Sequence, residues 1–358
     1  MSELNRLREM RARLADPDPE RLAAVRAQVT GRFGARSPGR GRAFVPRRTG
    51  LRLAVVAVVL ALAAGVTAVQ VVGGHRGGPF ATPDAAAANL LNRAAAAADA
   101  EPDIRPRKDQ YVYIEQRRKE LTGPPLENLQ RPYPVKSPAA WSPDDPPYYV
   151  DRRTEQWQSV VDKGQILDRD LAGHPTPFAP GMRLPARMPG LGGGEEFNAL
   201  CEPGSPYEPN YRWMSTLPTD PDRLRGEIFG DAQPPAAKWQ VISDMLTMGV
   251  PSARLRASLF RLGGTIPGVT VAGHAEDAAG HHGMAIEFTY AWGAIDIKMV
   301  GQLIFDPKTY RYLGSRDLLG ERYAGLAAGT LWQTSSVVTM KAVDRLPRVQ
   351  HGTVRARC

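Results

Sequence analysis

The sequence predicts an α+β protein: a single transmembrane helix, then an exported domain whose antiparallel sheet carries helices on one face. Three observations predict it. Residues 53–72 read LAVVAVVLALAAGVTAVQVV, with no charge and with only Thr67 and Gln70 polar, which as a helix is long enough to cross a hydrocarbon core of roughly 30 Å. Residues 236–262 carry two apolar stripes at helical spacing, Trp239, Ile242, Met245 and Leu246 and then Leu255, Leu259 and Leu262, each stopped by a glycine. Residues 269–342 hold successive short apolar segments joined by tight turns, the pattern of an antiparallel meander. The chain divides accordingly into a basic helical arm and tether at 1–50, the span at 51–72, a linker and alanine-rich helix at 73–104, and the exported α+β domain at 105–358.

Charge sets the orientation. Thirteen arginines precede the apolar run against five acids, and the next cations after it are only Arg76 and Arg93. The positive-inside rule then puts the N-terminus in the cytoplasm and the large domain outside the cell membrane. A cleaved signal peptide fits less well, because about fifty residues precede the run, far more than a normal n-region. Thirteen less five leaves eight of the formal net charge of +9 in the arm. The exported part is therefore close to neutral, which argues against nucleic acid as its partner and for anionic membrane lipid as that of the arm. The two cysteines, Cys201 and Cys358, both fall in the exported part, where a disulfide is chemically allowed.

Within the arm, Leu4, Leu7, Met10 and Leu14 recur at helical steps. Asp18 then stands as N-cap before Pro19 and a second helix striped by Leu22, Val25 and Val29. Two short striped helices bury little alone, so Leu22, Val25 and Val29 are the candidate partner-binding residues. Residues 31–50 read as a flexible tether.

Beyond the span, residues 84–100 are an alanine-rich helix with Leu90 and Leu91 as large apolar groups. Strands are expected at 111–114, with a polar continuation to 119, and at 148–161 with a hairpin partner at 164–170. Residues 123–147 hold eight prolines, and residues 173–210 are again rich in proline and glycine. Both read as long loops. Helices follow at 221–229, 236–248 and from Pro251 to Gly263, then strands at 269–272, 284–290, 294–305, 310–313 and 330–342.

Catalytic signals are weak. His274, Glu276, Asp277, His281 and His282 fall within nine residues, but the alanines and glycines among them mark a hairpin turn rather than a metal site. There is no G-x-S-x-G elbow and no H-E-x-x-H helix. The glycines at 190–194 place Glu195 at the third fingerprint position with no helix pattern after it. No catalytic residue, metal or cofactor is expected, and the protein is not read as an enzyme. The aromatic set Tyr111, Tyr113, Tyr149, Trp157, Trp239, Tyr290, Trp292 and Phe305 either fills a core or lines a ligand groove between sheet and helices.

Several segments carry a resemblance. The run Asp16-Pro17-Asp18-Pro19-Glu20-Arg21-Leu22, the single span, Ile266-Pro267-Gly268-Val269, and Leu303-Ile304-Phe305-Asp306-Pro307-Lys308-Thr309 with Leu313-Gly314 resemble an uncharacterised family of actinobacterial single-pass membrane proteins. Tyr310 stands where the family pattern has glycine. The resemblance implies an anti-sigma-factor-like layout, with a cytoplasmic arm that holds a sigma factor and an exported sensor-like domain. It also implies a curved sheet covered by helices, the half-barrel of lipoprotein carriers, and it carries over no catalytic residue. The expected function is a membrane regulator with an extracytoplasmic sensor domain. The rival is an envelope protein whose exported domain binds an apolar ligand or cell-wall component, with no signalling role.

Overall fold

A computed structural model of the chain describes residues 83–123, 145–161, 165–188, 191–199, 204–206, 208–230, 233–292, 297–349 and 354–355. The apolar run at 53–72, the arm with Leu22, Val25 and Val29, most of the 123–147 loop, Cys201 and Cys358 lie outside the described residues. Among the described residues no helix is long and apolar enough to cross a membrane.

Eleven strands form one open, mostly antiparallel sheet. They are β1 (Tyr111–Thr122), β2 (Tyr148–Ser159), β3 (Gln165–Asp170), β4 (His174–Pro177), β5 (Gly194–Ala199), β6 (Thr270–Glu276), β7 (His282–Trp292), β8 (Ile297–Phe305), β9 (Tyr312–Leu319), β10 (Leu331–Val343) and β11 (Val354–Arg355). Their order is β11-β5-β3-β2-β1-β10-β9-β8-β7-β6, with β4 paired to β2. The C-terminal meander β6 to β10 returns so that β10 pairs with β1 and joins the two halves. Among the described strand pairs only β11 against β5 is parallel. Glu115 faces Thr339 while Gln116 faces Val337, which leaves Val338 as the extra residue of a bulge and turns it outward.

Among the described residues five helices cover one face: α1 (Ala85–Asp99), α2 (Tyr211–Thr216), α3 (Pro221–Ile228), α4 (Pro235–Thr247) and α5 (Ala253–Gly263). Their buried residues share one core with Val112 and Ile114 of β1, Ile286 and Phe288 of β7, and Leu303 and Phe305 of β8. The alanines of α1 have a packing reason. A Cβ at Gly264, just past α5, would come 3.3 Å from the Cα of Ala88, so the two helices approach where only small residues fit. Asp84 caps α1 by accepting the Ala87 N–H at 2.8 Å. Arg256–Glu101 and Arg261–Asp99 ion pairs tie the end of α1 to α5.

Within the described residues the helix and strand expectations hold in kind, with differences at three places. The 173–210 segment is not all loop: it contains β4 and β5, and α2 follows directly after it. Pairing with a neighbour makes β5 a strand, since Phe197 faces Leu167 of β3 and both are buried beside Trp157; one apolar residue in GEEFNA gives no period to read. The strand expected at 310–313 runs instead over Tyr312–Leu319, a stretch whose inward residues include Ser315 and Asp317. The polar half of β1 is a full strand to Thr122, because β2 and β10 pair with it on both sides.

The turn before β9 explains the departure at Tyr310. That residue has φ of 60°, the left-handed region that favours glycine. Its hydroxyl accepts a hydrogen bond from Arg93 Nη1 at 2.6 Å, and the Arg93 guanidinium lies 5.3 Å from the ring centre. A tyrosine here thus ties the turn to α1, a contact glycine would lack.

Candidate functional site

The register of the sheet builds the site. Phe288, Gly301, Asp317, Gln333 and Glu120 are successive cross-strand partners across β7, β8, β9, β10 and β1. Ile286, Leu303, Ser315, Ser335 and Arg118 form the next such row. Each row is apolar or small on β7 and β8 and polar on β9, β10 and β1. The apolar part is core beneath the helices, and the polar part is the floor of an open cleft of about 200 Å³ whose wall is α4.

Helical periodicity explains that wall. Gln240, Ser243, Asp244 and Thr247 recur at three- and four-residue steps and line the cleft, while Val241, Ile242, Met245 and Leu246 point into the core. Gln240 Nε2 donates to Asp244 Oδ1 at 2.8 Å. At the far end Gln116 of β1 donates from Nε2 to the Thr247 carbonyl at 2.6 Å, fixing the last turn of α4 against the sheet. The opening continues into a neighbouring space of about 320 Å³ reached by Trp292, Met299 and Trp332. The two indoles of that space meet at 5.7 Å with their planes 61° apart.

Asp317 is the polar centre. Tyr290 Oη donates to its Oδ1 at 3.0 Å and Gln333 Nε2 to its Oδ2 at 2.8 Å. Burial pushes its carboxyl above the usual carboxylate range, and the two donors partly oppose that shift. Burial likewise pushes Asp244 up to about 6, against the Gln240 hydrogen bond, and the charge of Asp317 adds to the rise. Tyr290 is pushed far above the ordinary phenol range, by burial first and then by Asp317, so it stays a hydrogen-bond donor at any physiological pH. The space for these groups comes from a missing side chain. A Cβ on Gly301 would lie 2.8 Å from Trp239 Nε1, 3.1 Å from Asp317 Oδ1 and 3.1 Å from Tyr290 Cε1.

Of the aromatic set, the structure brings Trp239, Tyr290 and Trp292 to this cleft. Tyr111, Tyr113 and Trp157 pack together on the other face with Leu167 and Phe197. Phe305 is core against Phe260 at 5.2 Å, and Tyr149 stacks on Phe178 at 5.9 Å. In the histidine cluster, Asp277 accepts the N–H groups of Ala279 and His281 and lies 3.0 Å from His281 Nδ1. It is a turn-closing carboxylate, and among the described residues no three such side chains converge as a metal site. The glycines at 192–194 lead into β5 and not into a helix.

Sequence reasoning missed Asp244, Gly301, Asp317 and Gln333. Three of these look like ordinary solvated positions on a helix or strand. Gly301 did carry a signal, since an isolated glycine inside a strand marks close approach of another group. No protein-family model matches the chain, and no curated protein matches it significantly.

Proposed function

We propose that this is a single-pass membrane protein with a cytoplasmic N-terminus, whose extracytoplasmic domain is a sensor that binds a small ligand in the cleft between α4 and the sheet. One observation carries the reading: along the two rows through Asp317 and Ser315, the helix-bearing face changes at β9 from core to an open, polar and aromatic cleft around Asp317. A face that only had to pack would continue the apolar rows of β7 and β8. The domain is a helix-covered half-barrel of the lipoprotein-carrier kind. Its lining of amides, carboxylates and indoles suits a ligand with polar groups and an apolar face better than a purely apolar one.

The arm supplies the output in this reading. Leu22, Val25 and Val29 present a stripe to a cytoplasmic partner, a sigma factor, and the arginines around it hold the arm near anionic lipid. Native mass spectrometry of the full chain released from membranes in detergent tests the ligand. The expected result is a bound small molecule that Ser243→Trp, which fills the cleft, removes without unfolding the protein. A clean apoprotein, with no stabilisation by any fraction of an envelope extract, would contradict the ligand reading. Capture of a sigma factor by an immobilised peptide of residues 1–50, lost when Leu22, Val25 and Val29 are made polar, tests the output.

A further inference from the structure

This inference rests on the ligand reading and specifies the chemistry of the occupant. We propose that the cleft takes an organic ammonium cation carried on a ring or other apolar body. Two of its three acids have only uncharged partners: Asp317 accepts from Tyr290 and Gln333, and Asp244 accepts from Gln240 through one oxygen. Among the described residues, neither acid has an ion-pair partner within 4.0 Å. Glu120, the row neighbour of Gln333, adds a third carboxylate to the lining.

Two cations, Arg118 and Lys119, also belong to the lining, but among the described residues neither pairs with Asp317 or Asp244. Lys119 Nζ lies 5.0 Å from the centre of the Tyr149 ring, and Arg118 is exposed on β1. An independent observation concerns Ser243, whose Oγ is buried in the cleft wall and has no hydrogen-bond partner. Such an atom is costly unless something donates to it or accepts from it. An ammonium N–H would satisfy the open oxygen of Asp244 and, with the Ser243 side chain turned toward the cleft, Ser243 Oγ as well, and its charge would compensate Asp317. The walls suit the rest of such a molecule. Trp239, Tyr290 and Trp292 line the cleft and Trp332 the adjoining space, and the faces of these rings attract cations as well as apolar groups. An anion would meet three carboxylates against two cations here, and a neutral guest would leave Asp317 and Asp244 without a charged partner.

The test is a fluorescence titration of the full chain in detergent with benzylammonium and with benzyl alcohol, its uncharged counterpart of nearly the same shape. The expected result is saturable quenching of tryptophan emission, with benzylammonium binding about tenfold or more tightly. Asp317→Asn and, separately, Asp244→Asn should each remove most of that preference and leave benzyl alcohol unchanged. Asp244 is half-buried on the cleft side of α4 and makes one side-chain hydrogen bond, so its variant remains informative if Asp317→Asn does not fold. Equal binding of the two probes would overturn the ammonium assignment while leaving the cleft a ligand site. Absence of binding by either probe would also overturn it, and the mass spectrum of the native protein would then decide the ligand reading separately.

Discussion

Replacing Gly301 by alanine should destabilise the protein although it adds only one methyl group to a strand. The new Cβ would sit 2.8 Å from Trp239 Nε1 and 3.1 Å from both Asp317 Oδ1 and Tyr290 Cε1, all closer than ordinary van der Waals contact. None of the three can retreat easily. Trp239 is 1% exposed and stacks on Phe288 at 5.8 Å, and Tyr290 and Asp317 are hydrogen-bonded to each other. Overpacking of this kind costs roughly 1–3 kcal/mol. Removing a glycine from a strand returns about 0.5–1 kcal/mol through the unfolded chain. The expected net loss is therefore about 1 kcal/mol or more, read from urea unfolding of the detergent-solubilised protein by tryptophan emission. Gly226 in α3 has open space where its Cβ would be, so Gly226→Ala should gain up to about 1 kcal/mol and serves as control. A Gly301→Ala protein as stable as the parent would refute the close convergence of the three side chains.

Other expectations follow from the same geometry. Phe305→Ala, at a fully buried ring packed edge-on against Phe260, should cost about 3–5 kcal/mol in the same unfolding assay. Asp244 binds its proton more tightly folded than unfolded, so its contribution to stability is highest below about pH 4 and is lost as pH rises towards 6. Asp244→Asn should flatten the melting temperature over that interval, and an unchanged slope would show that its carboxyl is not raised. Asp306 is the opposite case. The N–H groups of Thr309 and Lys308 and the Thr309 hydroxyl hold its carboxyl below the usual range. Its contribution is present above pH 4 and fades as pH falls below that, and Asp306→Ala should cost about 1 kcal/mol at neutral pH and shorten the acid limb of the stability profile.

Much of the fold was legible because its signals are local. Asp84 and the alanines after it announce α1, the stripes of α4 and α5 stand at helical spacing, and Asp306-Pro307-Lys308-Thr309 marks the turn between β8 and β9. What was not legible depends on partners distant in sequence. β5 is a strand because Leu167 offers Phe197 a place, and β1 runs past the expected end at Lys119 to Thr122 because its neighbours satisfy its backbone. The cleft was half legible. Trp239, Tyr290 and Trp292 stood out as aromatics able to line a groove, whereas Asp317 and Asp244 look like surface acids until the register aligns Asp317 with Gly301 and α4 is laid over the same face.

The account turns on an outward-facing domain with an open cleft, and one labelling experiment addresses both points. Met248 lines the cleft at the end of α4 and is 45% exposed. In a chain with Cys201 and Cys358 changed to serine, Met248→Cys is treated in intact cells with a membrane-impermeant maleimide. An outward-facing domain with an open cleft should be labelled in intact cells to the level seen after lysis, and protected when a ligand fills the cleft. Labelling only after lysis would place the domain in the cytoplasm and contradict the reading of the protein as an extracytoplasmic sensor.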